Sequence, residues 1–341
     1  MKFYRRRAEK SKLFESYGYS PFYPRVRSIL SGTTISRMGL SLSSLSIYSF
    51  LSYHHFVFYL KAFFYTAASR FARGSAEVHL EPSVTPAIIH SGWASGYYHW
   101  LTEALPRALV LKDQFPNAIP LLPIDVYSGF LPSLKALGFE RVIPYPDGTA
   151  AKCDRIVITE CPKFFGTTSP ILLRRVREEI FRNHGIGAMH ASEIVYVSRA
   201  RARGRRVLNE ECIFDLLGRY GGRIVHFEDY SFENQVKIMS SCKIFVGIHG
   251  AGLSNMMFMP PGGVVIEPIA RRHGLFDYRK IGNSFRHQAC YWRLAEAMGH
   301  SHDFVLGEAS VSRISRTDMA DIYIDLLRLE KKIVSALGNH R

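Results

Sequence analysis

From Pro86 onward the chain alternates short apolar runs with amphipathic stretches. Ala87-Ile-Ile-His90, Ile119 to Leu122, Arg141 to Tyr145 and Arg155 to Thr159 read as strands. Between them, Tyr97 to Gln114, Leu131 to Leu137 and Ile171 to Asn183 carry apolar residues at helical spacing. A second series follows, with strands at Glu193 to Val197, Arg223 to Phe227, Ile244 to Ile248 and Val264 to Ile266. Its helices run from Asn209 to Tyr220 and over Phe232 to Ser240. Asn209 and Ser231 have the side chains of N-caps, and Glu210 and Glu211 suit the positive end of a helix. Strands alternating with helices predict a parallel sheet covered on both faces.

The glycine-bearing stretch His184 to His190 joins the two series, which predicts two Rossmann-like α/β domains facing a cleft. The expected divisions are a basic, aromatic and irregular segment over 1–75, a first α/β domain over 76–185 and a second over 190–341, ending in helices. No internal repeat or low-complexity tract interrupts them. Met38 to Leu60 carries no Asp, Glu, Lys or Arg, yet serines alternate with its early apolar residues. That pattern reads as strand more than as a lipid-facing span, with peripheral membrane contact the better expectation. Met1-Lys-Phe-Tyr-Arg-Arg-Arg7 is basic but lacks the apolar core and cleavage pattern of a signal peptide.

Lys and Arg number 44 against 29 Asp and Glu in 341 residues, a formal charge of +15 that favours anionic partners. Five cysteines occur, none in CxxC or zinc spacing, so buried thiols in a reducing cytoplasm are expected. Three segments carry candidate chemistry. In Gly247-Ile-His-Gly-Ala-Gly-Leu253 a strand breaks through glycines into an apolar helical stretch, which places backbone N–H groups and a helix dipole where an anion can approach closely. The spacing does not fit the dinucleotide fingerprint, and no Gly-Lys-Ser/Thr of a P-loop is present. A tight strand–helix join with no ligand would leave the same glycines.

Ser198-Arg-Ala-Arg-Ala-Arg-Gly-Arg-Arg206 follows a strand end, where ligands bind in open α/β sheets. Its guanidinium groups suit phosphate oxygens. A nucleic-acid patch is the rival reading, disfavoured because the cluster is confined to one loop without stacking aromatics. Within Tyr97-Tyr-His-Trp-Leu-Thr-Glu-Ala-Leu-Pro-Arg107, helical spacing puts His99, Glu103 and Arg107 on one stripe. Either His99 or Glu103 is suited to general-base work; an ordinary surface ion pair would give the same spacing. Pro106 removes one helix hydrogen bond and marks a kink or a true start.

Taken in order, the motifs at 99–107, Ser198-Arg199 followed by Arg205-Arg-Val-Leu-Asn-Glu210, Phe227 to Gln235, and Gly-x-His-Gly-Ala-Gly-Leu-x-Asn with Pro-Pro-Gly and Val-Ile-Glu267 resemble glycosyltransferase family 61. The resemblance covers about residues 90 to 300. It implies a GT-B architecture and an inverting, metal-independent transfer from a nucleotide-diphosphate sugar, UDP-type favoured, to a glycan hydroxyl. No cofactor is implied, and no nucleic-acid partner. Bacterial members are often tied to capsular or surface polysaccharide synthesis, so a cytoplasmic enzyme at the inner membrane face is expected. Carried over by motif, Arg199 and Arg206 contact the diphosphate; His249, Gly250, Ala251, Gly252 and Asn255 shape the phosphate loop. Asn209 and Glu210 fix the Arg loop, and Glu267 reaches the ribose. Glu103 is the first choice of base and His99 the second. Gly96 departs from the pattern, where Asn often precedes the Tyr-Tyr-His run. Two other classes predict different behaviour: a basic nucleic-acid binder with steep salt dependence, and a dinucleotide-dependent oxidoreductase with a cofactor signal.

Overall fold

The computed structural model describes residues 22–35, 41, 42, 47, 48, 64, 68, 77–81, 83–146, 150–161, 168–187, 191–202, 204–271, 290–310 and 320–338. Most of the Met38 to Leu60 stretch and the end of the His184 to His190 join lie outside them. No helix among the described residues is long and apolar enough to cross a membrane.

The described residues form a mixed α/β fold with two sheets. The first contains β1 (Val26–Ile35), β2 (Ser41–Leu42), β3 (Ile47–Tyr48), β4 (Glu77–His79), β5 (Thr85–Ile88), β6 (Ala118–Pro123), β7 (Ile143–Tyr145) and β8 (Ala150–Thr159). Its order is β3-β2-β1-β8-β5-β6-β7, with β4 also on β8. The strands from β8 to β7 are parallel, whereas β1 runs antiparallel to β8. Residues 26–35, expected to be irregular, therefore form a full strand of the sheet. Their pairing partner lies more than a hundred positions away, where no local pattern signals it.

The second sheet is built from β9 (Glu193–Val197), β10 (Arg223–Val225), β11 (Cys242–Gly247), β12 (Val264–Arg271), β13 (Ser301–Ala309) and β14 (Ile322–Ile324). Its order is β10-β9-β11-β12-β13-β14, parallel except for β14. Alternation sorts its side chains onto two covered faces. Ile194, Tyr196, Ile244, Val246 and Ile266 pack against Ile213 and Leu217 of the helix Glu210–Gly218 and Leu329 and Ile333 of the helix Leu326–Gly338. On the opposite face Val195, Val197, Phe245 and Val265 join one cluster that continues through Met256 to Leu101 and Leu105 beside the first sheet.

Several elements depart from their expected extents. The helix at Leu131 begins earlier and spans Ile124–Ala136 despite Pro132. Trp100 stacks on its Phe130 at 4.8 Å and donates to Ser133 Oγ at 2.7 Å, tertiary contacts that outweigh local propensity. The strand from Arg223 stops at Val225, and Phe227–Asp229 turns into a 3₁₀ helix. Ser231 caps its helix by accepting from the Asn234 N–H, as expected. Asn209 does not cap: its amide donates to the Ile324 carbonyl at 2.9 Å and accepts from the Ile324 N–H at 3.0 Å, so β14 claims it first.

Candidate active site

β9 and β11 lie side by side and end together at Val197 and Gly247, while β12 runs on beside them to Arg271; the candidate site stands over the C-terminal ends of β9 and β11. Gly247 closes β11 where a Cβ would lie 2.3 Å from Val197 Cγ1, so only glycine lets the two strands meet. His249 follows, its N–H donating to the Pro268 carbonyl at 3.2 Å. Gly250 is extended, and Ala251–Phe258 forms a 3₁₀ helix, tighter than the α-helical stretch expected near Leu253. Gly252 packs on Val197, where a Cβ would come within 3.2 Å of Cγ2.

The arginine loop is anchored at both ends. Glu210 is buried, and its two oxygens accept from the Tyr196 hydroxyl at 2.7 Å and the Ser198 hydroxyl at 3.0 Å. Ser198 Oγ in turn accepts from the Ala200 N–H. At the other end Arg206 bonds Asp321 through backbone and guanidinium, and Asn209 pairs with Ile324. Arg206, expected on the diphosphate, is thus an exposed ion pair on the β14 side. Arg205 takes the inward position. Its backbone sits at φ 58, the one positive φ on a non-glycine residue among those described. Its guanidinium donates to the His249 carbonyl at 3.1 Å.

Arg199 reaches the same loop from the start of the segment. A Cβ on Gly250 would lie 2.6 Å from Arg199 Nη1, so the missing side chain is what admits the guanidinium. Both Arg199 Nε and Arg205 Nε are buried without a hydrogen-bond partner. Burial, and then the Arg205 charge, push Arg199 below the ordinary arginine range. Two partly desolvated cations held against one glycine loop make a strong local demand for an anion.

Glu267 does not face this opening. It is fully buried, and its oxygens are held by His249 Nδ1 at 2.5 Å and His302 Nε2 at 2.8 Å. A ribose contact, expected of a residue at a strand end, is therefore geometrically closed, because both oxygens are spent inside the sheet. Burial by itself raises its pKa, but the hydrogen bonds and charges of His249 and His302 prevail and hold it at about 2.

On the first sheet's side, Tyr97–His99, a π turn over Trp100–Ala104 and the helix Leu105–Gln114 follow without a break. Pro106 near the start of the last segment has no N–H to give, which accounts for the widened turn before it. His99 Nδ1 and Glu103 Oε1 are 3.1 Å apart, and Glu103 is buried, so the pair is no surface ion bridge. Arg107 turns into the sheet and donates to Thr159 Oγ1 and its carbonyl oxygen.

Two links join this helix to the glycine loop. The Tyr98 ring packs edge-on against Tyr291 at 5.5 Å, and Tyr291 packs edge-on against His249 at 5.0 Å. The Tyr97 hydroxyl donates to Asn255 Oδ1 at 2.7 Å, and the Asn255 amide donates to Gln235 Oε1 at 3.3 Å. Gln235 itself donates to the carbonyls of Phe227 and Tyr230. Asn255 is fully buried and serves as a clamp beneath the loop rather than as an open ligand. His302 and Tyr291 emerge only from the structure, as do the inward position of Arg205 and the contacts of Gln235 within motifs the sequence already marked. Among the described residues, no group of three or more His, Cys, Asp or Glu side chains is arranged to hold a metal ion.

Fold and site together define an α/β protein with a cationic glycine loop at the ends of a parallel sheet. Residues 97–266 match the model for the family described as glycosyltransferase 61, and the chain belongs to that family. Within it, the chain is 36% identical over 77 residues to an EGF domain-specific O-linked N-acetylglucosamine transferase of Drosophila melanogaster, covering 22% of this chain and 15% of that protein. It is 38% identical over 71 residues to the protein O-linked-mannose beta-1,4-N-acetylglucosaminyltransferase 2 of Takifugu rubripes, covering 20% and 12%. The mouse protein of that name matches at 32% over 84 residues, covering 24% and 14%. The chain thus spans a small part of the length of these curated relatives.

Proposed function

We propose that this chain is an inverting glycosyltransferase that moves a sugar from a nucleotide-diphosphate donor to a glycan hydroxyl, without a metal as diphosphate counter-charge. The carrying observation is the convergence of Arg199 and Arg205 on His249 and Gly250, each with a buried, unpartnered Nε. In this reading the two guanidinium groups and the loop N–H groups bind the diphosphate. The two sheets are the two halves of a GT-B enzyme, divided near residues 185–190, with the Tyr98–Tyr291 contact on the cleft floor. Glu210, Asn209 and Arg206 hold the arginine loop, and Asn255 supports the helix behind it.

Glu103 is the proposed base, with His99 oriented beside it. The acceptor hydroxyl gives its proton to the Glu103 carboxylate while its oxygen attacks the anomeric carbon. The bond from that carbon to the diphosphate oxygen breaks on the opposite face, and the leaving diphosphate keeps the electron pair against the arginines. The names of the matched relatives make an N-acetylglucosamine donor of UDP the first to try. A role in surface polysaccharide synthesis and a location at the inner membrane face complete the proposal.

The test is a panel of UDP-, GDP- and CMP-sugars, read by thermal protection and donor hydrolysis. At least one nucleotide class should raise the melting temperature; none doing so overturns the reading. Glu103→Gln should keep that protection and abolish transfer, and equal loss of both would remove Glu103 from the role of base.

A further inference from the structure

Glu267, His249 and His302 form a linear chain from the sheet interior to the loop, and its hydrogen positions follow from what each end can accept. An ionised carboxylate only accepts, so Nδ1 of His249 and Nε2 of His302 both carry hydrogens toward Glu267. Nδ1 of His302 is buried with no partner. A hydrogen there would be a buried donor without a partner, which disfavours a second hydrogen on the His302 ring. Any further proton on this chain therefore goes to Nε2 of His249, whose side chain is 20% exposed. That ring is fixed by Glu267 behind it and by the edge-on Tyr291 ring from the helix Cys290–Met298.

Charged groups stand on several sides of that ring. Arg205 holds the His249 carbonyl and Arg199 lies against Gly250, so two cations oppose a third in the free protein. Glu267 favours it from β12, with His302 behind on β13, while the Tyr291 and Cys290 groups, raised by burial, stay neutral. A bound diphosphate cancels the two arginine charges and leaves the Glu267 carboxylate to be balanced. We propose that His249 is a proton-linked cation of the donor site, taking one proton from solvent onto Nε2 as the diphosphate binds, with Glu267 and His302 as positioning residues. The inference rests on the donor-site reading above. It makes the grip on the leaving group self-adjusting: strong when the diphosphate is present, weaker in repulsion when it is not.

The experiment is calorimetric titration of the full chain with UDP at pH 8, in Tris and in HEPES. The difference in apparent enthalpy between buffers of unlike ionisation enthalpy counts protons taken up. The expected wild-type result is a net uptake approaching one proton per UDP bound. His249→Gln, a partly exposed position, should remove the uptake and weaken UDP at least tenfold. Glu267→Gln keeps an acceptor for Nδ1 but loses the charge, and should lower the uptake to less than half. UDP binding with no uptake in the wild type, or with the same uptake in His249→Gln, overturns the inference and leaves the donor site standing. No UDP binding at all, with other nucleotides also silent, overturns the donor site itself.

Discussion

The Tyr97 hydroxyl donates to Asn255 Oδ1 at 2.7 Å, across 158 residues of chain, and ties the first helix to the underside of the glycine loop. Burial pushes this phenol well above the usual tyrosine range, with the bond to Asn255 opposing that rise only in part, so it stays a donor at all working pH values. Tyr97→Phe should leave Asn255 Oδ1 buried and short of its donor, at a cost of about 1–3 kcal/mol. Urea unfolding measures it. A variant as stable as the wild type would show that Asn255 Oδ1 loses nothing with this donor.

The two adjacent arginines should separate cleanly. Arg205→Ala removes a charge-assisted donor at the loop and should weaken nucleotide binding on the order of ten- to a hundredfold. Arg206→Ala breaks an exposed pair with Asp321 and should change binding less than about threefold, since such pairs contribute little. Calorimetry with the best donor nucleotide decides, and the reverse ranking would restore Arg206 to the site.

Gly250→Ala sets a methyl 2.6 Å from Arg199 Nη1. The guanidinium is the far end of a flexible side chain and will swing away, so the fold should survive. Nucleotide affinity should fall at least fivefold while the melting temperature stays within about 2 °C, a smaller loss than most core changes produce. Thermal unfolding with and without nucleotide reads both quantities, and unaltered affinity would mean that Arg199 does not act from this position.

Stability should decline in acid in two stages. His300 is held down to about 4, chiefly by burial, which prevails over its bond to Met256 and is reinforced by the Arg177 and Arg174 charges. A histidine depressed in the folded state contributes stability above its unfolded value near 6.5 and loses it as pH falls toward 4. Glu267, held at about 2, contributes above the unfolded carboxylate value and loses that contribution between about pH 4.5 and 2, on the order of 3 kcal/mol. Chemical unfolding at stepped pH should show both slopes, with stability rising with pH in each. Glu267→Gln should flatten the lower slope alone; an unaltered slope would assign the acid transition to other groups.

Much of the second sheet was legible in the chain, because buried parallel strands are short apolar runs and Ser231, Gly247 and Gly250 signal local backbone needs. The glycine loop and the arginine-rich loop were found by type and position. What the chain did not reveal is which arginine turns inward. That depends on Asp321, 115 residues further on, capturing Arg206, and on the left-handed backbone of Arg205. Nor did it reveal His302, since a lone histidine on a strand carries no signal until a neighbouring strand presents Glu267.

By itself, then, the sequence determined the alternation of strands and helices, the location of the glycine loop at a strand end, and the His99–Glu103 spacing. These are local properties, set by side-chain periodicity and by the few residues that permit unusual backbone. The tertiary structure decided the rest: β1 belongs to the first sheet, Asn255 is a clamp, and Glu267 stands behind His249 instead of facing the opening. The physical reason is the same in each case. A buried polar group must find its partner, and in a parallel sheet that partner comes from a strand or loop distant in the chain.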